Sequence, residues 1–157
     1  MRKRITAPGP GAVAAAEPGW MDLEPLVEVE ITSEDVGHPI ESALIPRMGS
    51  SWRAAQPGEQ TIRLRFDEPL RIKRIRLVFH EDEQERTQEF LLRWSPDGGQ
   101  SYLEILRQQY NFSPPEATRE LEDYDVNLDG VTALELRIVP DISGGSARAS
   151  LAQLRVA

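Results

Sequence analysis

The stretch Thr61–His80, TIRLRFDEPLRIKRIRLVFH, decides the fold of this chain. Apolar residues occupy every second position in its first part, namely Ile62, Leu64 and Phe66. After the break at 67–69 the alternation resumes with Ile75, Leu77 and Phe79. A period of two is typical of a strand with one buried face. The stretch therefore predicts two neighbouring β-strands.

The same alternation continues on both sides of this stretch. It predicts further strands at Leu26–Ile31, Phe90–Trp94, Tyr124–Leu128, Leu134–Ile138 and Ala149–Val156. The segment Ser95-Pro-Asp-Gly-Gly99 supplies the residues of a tight turn, so a hairpin into Tyr102–Gln108 is expected. Helix is expected only as a short turn in Pro39–Leu44. About eight strands with regular turn signals predict an all-β, antiparallel jelly-roll sandwich.

Composition narrows the functional classes. The chain has 157 residues, no cysteine and a net charge of −8. Such a charge repels nucleic-acid phosphates and anionic membranes, so neither is an expected partner. The lack of cysteine excludes disulfides and thiolate chemistry, and it fits a reducing compartment.

The N-terminal part differs from the rest of the chain. Residues 1–24 are rich in Gly, Pro and Ala without periodicity, which predicts a flexible arm followed by one β-sandwich domain over residues 25–157. The basic start Met1–Arg4 precedes Ile5–Ala16, where Pro and Gly interrupt any apolar run, so we expect no secretion signal. No stretch has the roughly 20 apolar residues of a transmembrane helix. A cytoplasmic location is expected.

Candidate catalytic and metal motifs fail on their spacing. The run Asp125–Gly130 resembles a calcium loop, but Leu136 stands where the bidentate Glu should be. The acids in 81–85 are more typical of a solvated loop than of acid–base chemistry. With only His38 and His80 available, a zinc site would need acidic ligands. We therefore expect no metal, no cofactor and no enzymatic activity.

A family resemblance follows from the order of several landmarks. These are Trp52 after a polar loop, the strand pair within Glu59–Leu77, the Ser95–Gly99 turn followed by Tyr102, and the closing segment Ala149–Val156. In this order they resemble the discoidin, or coagulation factor type C, family, whose members have a galactose-binding-domain-like jelly roll. The resemblance covers about residues 26–157. It implies a non-catalytic module that binds glycans, lipids or proteins through loops at one end of the sandwich.

The resemblance also implies a structural calcium near the loop before the tryptophan, which many members hold with help from an acid in the last strand. The corresponding segment here is Ile45–Gly49, without the expected Asp, and Gln153 replaces the acid. We therefore doubt the calcium site and offer a hypothesis instead. Arg47 would supply the positive charge, paired with a carboxylate or bonded to Gln153.

The segment Arg107–Pro115 is the most unusual in the chain, because it combines aromatic and amide groups in a Pro-terminated connection. Aromatic rings stack on sugar faces, and planar amide or guanidinium groups bond adjacent hydroxyls. With two further contributions from other loops, the predicted site for a glycan or polyol ligand comprises His38, Arg86, Arg107, Gln108, Tyr110, Asn111 and Phe112.

The same residues allow other interpretations of the segment and of the chain's function. Tyr110 and Phe112 could instead fold inward over the core, with Asn111 bonding the loop backbone, and Arg86 could simply pair with a Glu. The chain could also be a protein-interaction or adaptor module that uses the same loops or a sheet face. An enzyme of undetected type is the third possibility.

Overall fold

The structure is a computed structural model that describes residues 19–48 and 50–157. The described residues are mostly β-strand, with one short helix and one 3-10 turn, Pro46–Met48. In chain order the elements are β1 (Val27–Ile31), α1 (Glu41–Leu44), β2 (Trp52–Arg53), β3 (Gln60–His80), β4 (Arg86–Ser95), β5 (Leu103–Phe112), β6 (Arg119–Val139), β7 (Ser150–Leu151) and β8 (Gln153–Val156). The predicted all-β class is confirmed.

Two long, bent strands organise the molecule. β3 and β6 each span 21 residues and pair antiparallel along their length, with register shifts between Arg65 and Arg74. The prediction of two neighbouring strands within Thr61–His80 is wrong, because both parts belong to β3 and the break at 67–69 is its bend. The bend in β6 uses Gly130, whose positive φ of 68° favours glycine.

The bend divides one hydrogen-bonded sheet into two layers. The five-stranded layer contains β1, the first half of β3, the second half of β6, β4 and β5. The three-stranded layer contains β8, the second half of β3 and the first half of β6. A small ribbon of β2 and β7 lies beside them. This is the predicted jelly-roll sandwich.

The core lies between the layers and joins residues from both. Phe79 of the three-stranded layer stacks on Phe90 of the five-stranded layer, with ring centroids 5.4 Å apart. Trp52 is fully buried, and its indole Nε1 donates a hydrogen bond to the Ser33 carbonyl at 3.1 Å. That bond fixes the long connection between β1 and β2 against the core. The loops 32–51, 81–85, 113–118 and 140–149 meet at the end of the sandwich opposite the bend.

The predicted hairpin turn is confirmed between β4 and β5. Gly98 and Gly99 adopt positive φ values of 75° and 90° there. Hydrogen bonds to Asp97, first from the Ser101 hydroxyl and then from Ser95, lower the pKa of this carboxyl to about 2. The turn therefore has an internal acceptor that stays ionised.

Residues 1–18 of the predicted arm lie outside the described residues. The part that is described packs on the domain, since Leu23 is buried and the Met21 amide donates to the Val156 carbonyl at 2.8 Å. The guanidinium carbon of Arg74 lies 4.6 Å from the centroid of the Trp20 ring. The boundary at residue 24 stays a prediction. Within the described residues, no helix has the length and apolar character needed to cross a membrane.

Candidate functional site

An open cleft of about 400 Å³ lies where residues 38–48 and 50–51 pack against the outer face of the three-stranded layer. We call it the end cleft, because it opens at the end of the sandwich where the long loops meet. It is lined by His38, Ser42, Pro46, Ser50, Ser51, Val78, His80, Arg119, Ala152, Gln153 and Arg155.

Strand pairing places the polar groups on the sheet side of the end cleft. His80 ends β3, Arg119 begins β6, and the two residues are direct partners in the antiparallel ladder. Directly opposite residues have Cβ atoms roughly 5 Å apart, so both side chains project from the same patch of the outer face. Val78 pairs with Gln153 of β8 in the same way. Two strand ends and the last strand thus converge on one patch.

Hydrogen bonds hold the loop side of the end cleft in place. His38 Nδ1 lies 2.9 Å from Asp35 Oδ2, and the Ile40 amide donates to Glu34 Oε2 at 2.9 Å. The hydrogen bond with His38 lowers the pKa of Asp35. Both nearby carboxylates therefore bond groups of their own loop.

Arg155 forms the buried floor of the end cleft. The residue is only 7% exposed. Its Nη1 donates to the Ala43 carbonyl at 2.7 Å and to the Leu154 carbonyl at 2.9 Å. Arg47, predicted to provide the internal charge, is exposed and forms no bond with Gln153 among the described residues. The cation of this region is Arg155 instead, because the alternation of β8 turns it under the helix.

A calcium ion does not fit beside this floor. Calcium needs a cage of oxygen ligands, whereas a guanidinium takes the Ala43 carbonyl here. No group of three or more His, Asp or Glu side chains could hold a metal within residues 19–48 and 50–157. The Ala43 carbonyl is thus engaged by an internal hydrogen bond from Arg155.

The charge of the end cleft is opposite to that of the whole chain. Its lining includes both histidines of the sequence and two arginines, while none of the described lining residues is an Asp or a Glu. Serine hydroxyls and the Gln153 amide complete the polar lining. This donor-rich surface suits a ligand with hydroxyl or anionic oxygen atoms.

The predicted site segment is not a loop, because β5 runs to Phe112. Alternation along this strand separates the predicted residues into two faces. Arg107 and Asn111 lie on the exposed face, where Arg107 Nη1 donates to Glu89 Oε1 at 2.7 Å and Asn111 Oδ1 accepts from the Thr87 hydroxyl at 3.0 Å. They face away from Gln108, Tyr110 and Phe112, so these predicted residues cannot converge on one ligand.

The inward residues of β5 close the core, as the alternative interpretation predicted for its rings. Phe112 is fully buried, and Tyr110 packs edge-on against it with ring centroids 4.9 Å apart. The Tyr110 hydroxyl donates to the Arg119 carbonyl at 3.0 Å. Gln108 is half-buried beside them. Direct ligand contact by Phe112 is therefore a wrong prediction.

Arg86 is also unavailable to a ligand. It is 3% exposed, its Nε donates to Glu81 Oε1 at 2.7 Å, and its Nη1 donates to the Pro140 carbonyl at 2.8 Å. Its guanidinium lies 4.7 Å from the Phe112 ring centroid. Arg86 closes the base of two loops and so positions them.

Of the seven predicted residues, only His38 lines the end cleft. Sequence reasoning missed His80, Arg119 and Arg155 as site residues. A usable signal exists for His80 and Arg155, which are basic side chains at the ends of predicted strands in a strongly acidic chain, whereas Arg119 precedes the predicted strand Tyr124–Leu128. The pairing that brings those strand ends together is not visible in the sequence.

The chain is similar to known proteins in structure but not detectably in sequence. No protein-family model and no curated protein sequence matches the chain. Among solved structures, a family 32 carbohydrate-binding module from Clostridium perfringens in complex with galactose has a TM-score of 0.62 at 13% identity. The similarity covers 83% of this chain and 92% of that one. The chain has the discoidin-like jelly-roll fold.

Other structures with this jelly roll bind different sugars. A pectin-binding carbohydrate-binding module has a TM-score of 0.59 at 18% identity, covering 83% of this chain and 89% of that one. A family 32 module in complex with 4,5-unsaturated mannuronic acid has a TM-score of 0.55 at 16% identity, covering 84% and 95%. At these identities the comparisons establish the jelly-roll fold and leave the ligand of this chain to its own residues.

Proposed function

We propose that this protein is a non-catalytic carbohydrate-binding module that holds its ligand in the end cleft. The observation that carries the proposal is the convergence of His38, His80, Arg119 and Gln153 on one open cleft at the loop end of the jelly roll. Structures with the same fold are complexes with galactose and with 4,5-unsaturated mannuronic acid, which supports a sugar ligand.

The dimensions and chemistry of the end cleft suit a sugar residue. Its volume of about 400 Å³ lies within the range of small-molecule sites. Sugar hydroxyls accept hydrogen bonds from guanidinium and imidazole groups, and serine and amide side chains can both donate and accept. Because the cleft is open, it can admit one residue of a longer chain as well as a free sugar.

Affinity electrophoresis and calorimetry against a panel of soluble polysaccharides test the proposal. We expect at least one polysaccharide to bind, and the double variant Arg119→Ala/His80→Ala to lose that binding. The control Arg71→Ala removes an exposed arginine at the bend, where it bonds Asn127, and should bind as the parent does. Binding that instead disappears in Arg107→Ala would place the site on β5. Absence of binding to every glycan would contradict the proposal.

A protein-interaction module is the second candidate, favoured by a groove of about 490 Å³ along β1. β1 is the end strand of its layer and pairs only with β3 among the described strands. Apolar residues of β1 and α1 line the groove together with the acids Glu28, Glu34, Glu41 and Asp67. An edge strand with acidic borders suits an extended peptide carrying basic side chains.

Extended peptides that alternate valine with lysine test this second candidate by fluorescence anisotropy. If the groove binds them, charge reversal in Glu28→Lys/Glu41→Lys should abolish the interaction and leave glycan binding intact. Glycan binding without peptide binding would reject the candidate. The cytoplasmic location stays a prediction, as does the exclusion of nucleic-acid and membrane partners.

A further inference from the structure

We infer that the end cleft selects a sugar that carries a carboxylate, a uronate residue, over the corresponding neutral sugar, with Arg119 binding the carboxylate. The inference rests on the proposed function, because it assigns a ligand class to the same cleft. Three features of the described residues support it: the partners of the nearby carboxylates, the lack of a carboxylate partner for Arg119, and the lack of a Phe, Tyr or Trp ring in the lining.

Three carboxyl groups near the end cleft do not offset the charge of Arg119. Asp35 bonds His38, and Glu34 bonds the Ile40 amide, so both loop carboxylates have partners. Glu120 follows Arg119 directly, but it is buried and faces the interior of the sandwich. Its burial, together with the neighbouring Glu122 carboxyl, raises the pKa of Glu120 to about 9. Glu120 is therefore uncharged at neutral pH and does not offset Arg119.

Arg119 differs from Arg63, Arg74 and Arg76, which are paired with carboxylates. Arg74 and Arg76 both bond Asp123, and Arg63 bonds Glu135. Arg119 is exposed, and among the described residues no carboxylate lies within ion-pair distance of its guanidinium.

The backbone of Arg119 is nevertheless fixed. Its carbonyl accepts a hydrogen bond from the Tyr110 hydroxyl at 3.0 Å, and its register opposite His80 is set by the β3–β6 ladder. A guanidinium on a fixed strand end can donate two parallel hydrogen bonds to a carboxylate. Arg119 is therefore placed to receive an anion without rearrangement of the sheet.

The lining of the end cleft contains no Phe, Tyr or Trp ring among its described residues. Trp52, the aromatic residue closest in sequence to the lining serines, is fully buried beneath them. Neutral sugars commonly gain affinity from a ring that stacks on their apolar face. Without such a ring, affinity depends on hydrogen bonds, and those to a charged acceptor are about twice as strong as those to a neutral one. A carboxylate is thus the group that this cleft can distinguish best.

Matched oligosaccharides test the inference. Trigalacturonate and galactotriose differ in the carboxylates that replace the primary alcohols, so calorimetry with both isolates the effect of charge. We expect the parent protein to bind trigalacturonate about tenfold or more tightly than galactotriose, since a charge-assisted hydrogen bond contributes an effect of this size. Added salt should weaken trigalacturonate binding and leave galactotriose binding nearly unchanged.

Variants assign the selectivity to Arg119. Arg119→Gln should abolish the preference for trigalacturonate while retaining weak binding of both sugars, and Arg119→Lys should keep part of it. Arg71→Gln, the matched change at the bend, should keep the full preference. Loss of binding to both sugars by the same factor in Arg119→Gln would overturn the inference.

Three further outcomes separate the inference from the proposed function. Equal affinity of the parent protein for the two sugars would overturn the uronate assignment and leave a carbohydrate-binding module. Tighter binding of a sulfated galactan than of trigalacturonate would overturn the choice of a carboxylate. Failure of every sugar to bind would overturn both the inference and the proposed function.

Discussion

Strand β6 carries two buried glutamates, each 1% exposed, that the fold accommodates in opposite ways. Glu135 lies in the second half of β6 on the outer face, where Arg63 Nη2 donates to it at 2.7 Å and Arg93 also bonds it. Glu120 lies in the first half on the inner face, where Gln88 Nε2 donates to it at 3.1 Å. One carboxyl is paired with cations, whereas the other accepts from an amide and interacts with the Glu122 carboxyl.

The protonation states follow from these partners. Burial alone would raise the pKa of Glu135, but the hydrogen bonds from Arg63 and Arg93 outweigh it, so this pKa lies below its ordinary value. Burial and Glu122 raise the pKa of Glu120 to about 9. The same strand thus holds an ionised and a neutral carboxyl at neutral pH.

The position of each half of β6 in its layer explains the difference. The second half is central, and its neighbours place Arg63 of β3 and Arg93 of β4 directly opposite Glu135. The first half is the edge of the three-stranded layer and has β3 alone as its ladder neighbour, with Phe79 opposite Glu120. A central strand can neutralise a carboxylate from both sides. At the edge, Glu120 is protonated instead of being paired with a cation. It therefore does not neutralise the adjacent Arg119.

Removal of the paired carboxylate should cause the largest loss of stability. We expect Glu135→Ala to lower the free energy of unfolding by about 3 kcal/mol at neutral pH, because Arg63 and Arg93 would lose their shared counter-charge. Urea denaturation measures the change. The control Glu104→Ala, which removes a carboxylate 3.9 Å from Arg107 at the surface, should cost less than about 0.5 kcal/mol. Equal, small losses in the two variants would mean that the Glu135 cluster contributes little.

Replacement of the neutral carboxyl of Glu120 should have the opposite effect and stabilise the protein. A folded-state pKa raised above the unfolded value contributes stability that is complete below the unfolded pKa and is lost as pH rises toward about 9. Glu120→Gln replaces the protonated acid by an amide that cannot ionise. We therefore expect a stabilisation that grows by roughly 1 kcal/mol per pH unit between about pH 5.5 and about pH 8.5.

Urea denaturation across that pH range measures the effect of Glu120→Gln. Glu116→Gln makes the same chemical change at an exposed loop position and should leave the pH dependence of stability unaltered. A Glu120→Gln variant that is less stable than the parent at about pH 8.5 would show that this carboxyl is ionised in the fold, contrary to the comparison with Glu135.

The sequence predicts the parts of this fold that depend on local pattern. Alternation identifies the inward residues of most strands, such as Leu64, Phe79 and Leu136, because each layer has one buried face. The turn at Ser95–Gly99 is predictable because its glycines and Asp97 supply what a tight turn needs. Neither prediction requires knowledge of which strands are neighbours.

The candidate site depends on which strands are paired, and the local sequence pattern does not show this. A period of two shows which way His80 points, but not that Arg119 is its partner 39 positions later in a ladder. The proline-terminated segment Arg107–Pro115 predicts a connection, whereas β5 continues to Phe112. The exposed bend at 67–69 has the composition of a turn between strands, so the continuity of β3 was also hidden.

The smallest expected effect on stability tests whether Arg119 serves binding or folding. Arg119→Gln should change the free energy of unfolding by less than about 0.5 kcal/mol, because no carboxylate within the described residues pairs with it. Arg76 points outward from the same layer, bonds Asp123 at 2.9 Å and lies 5.1 Å from the Trp20 ring, so Arg76→Gln should cost about 1 kcal/mol. Thermal and urea denaturation of the two variants give both values. If the Arg119 variant loses as much stability as the Arg76 variant, Arg119 supports the fold, and the end cleft loses the group on which its selectivity depends.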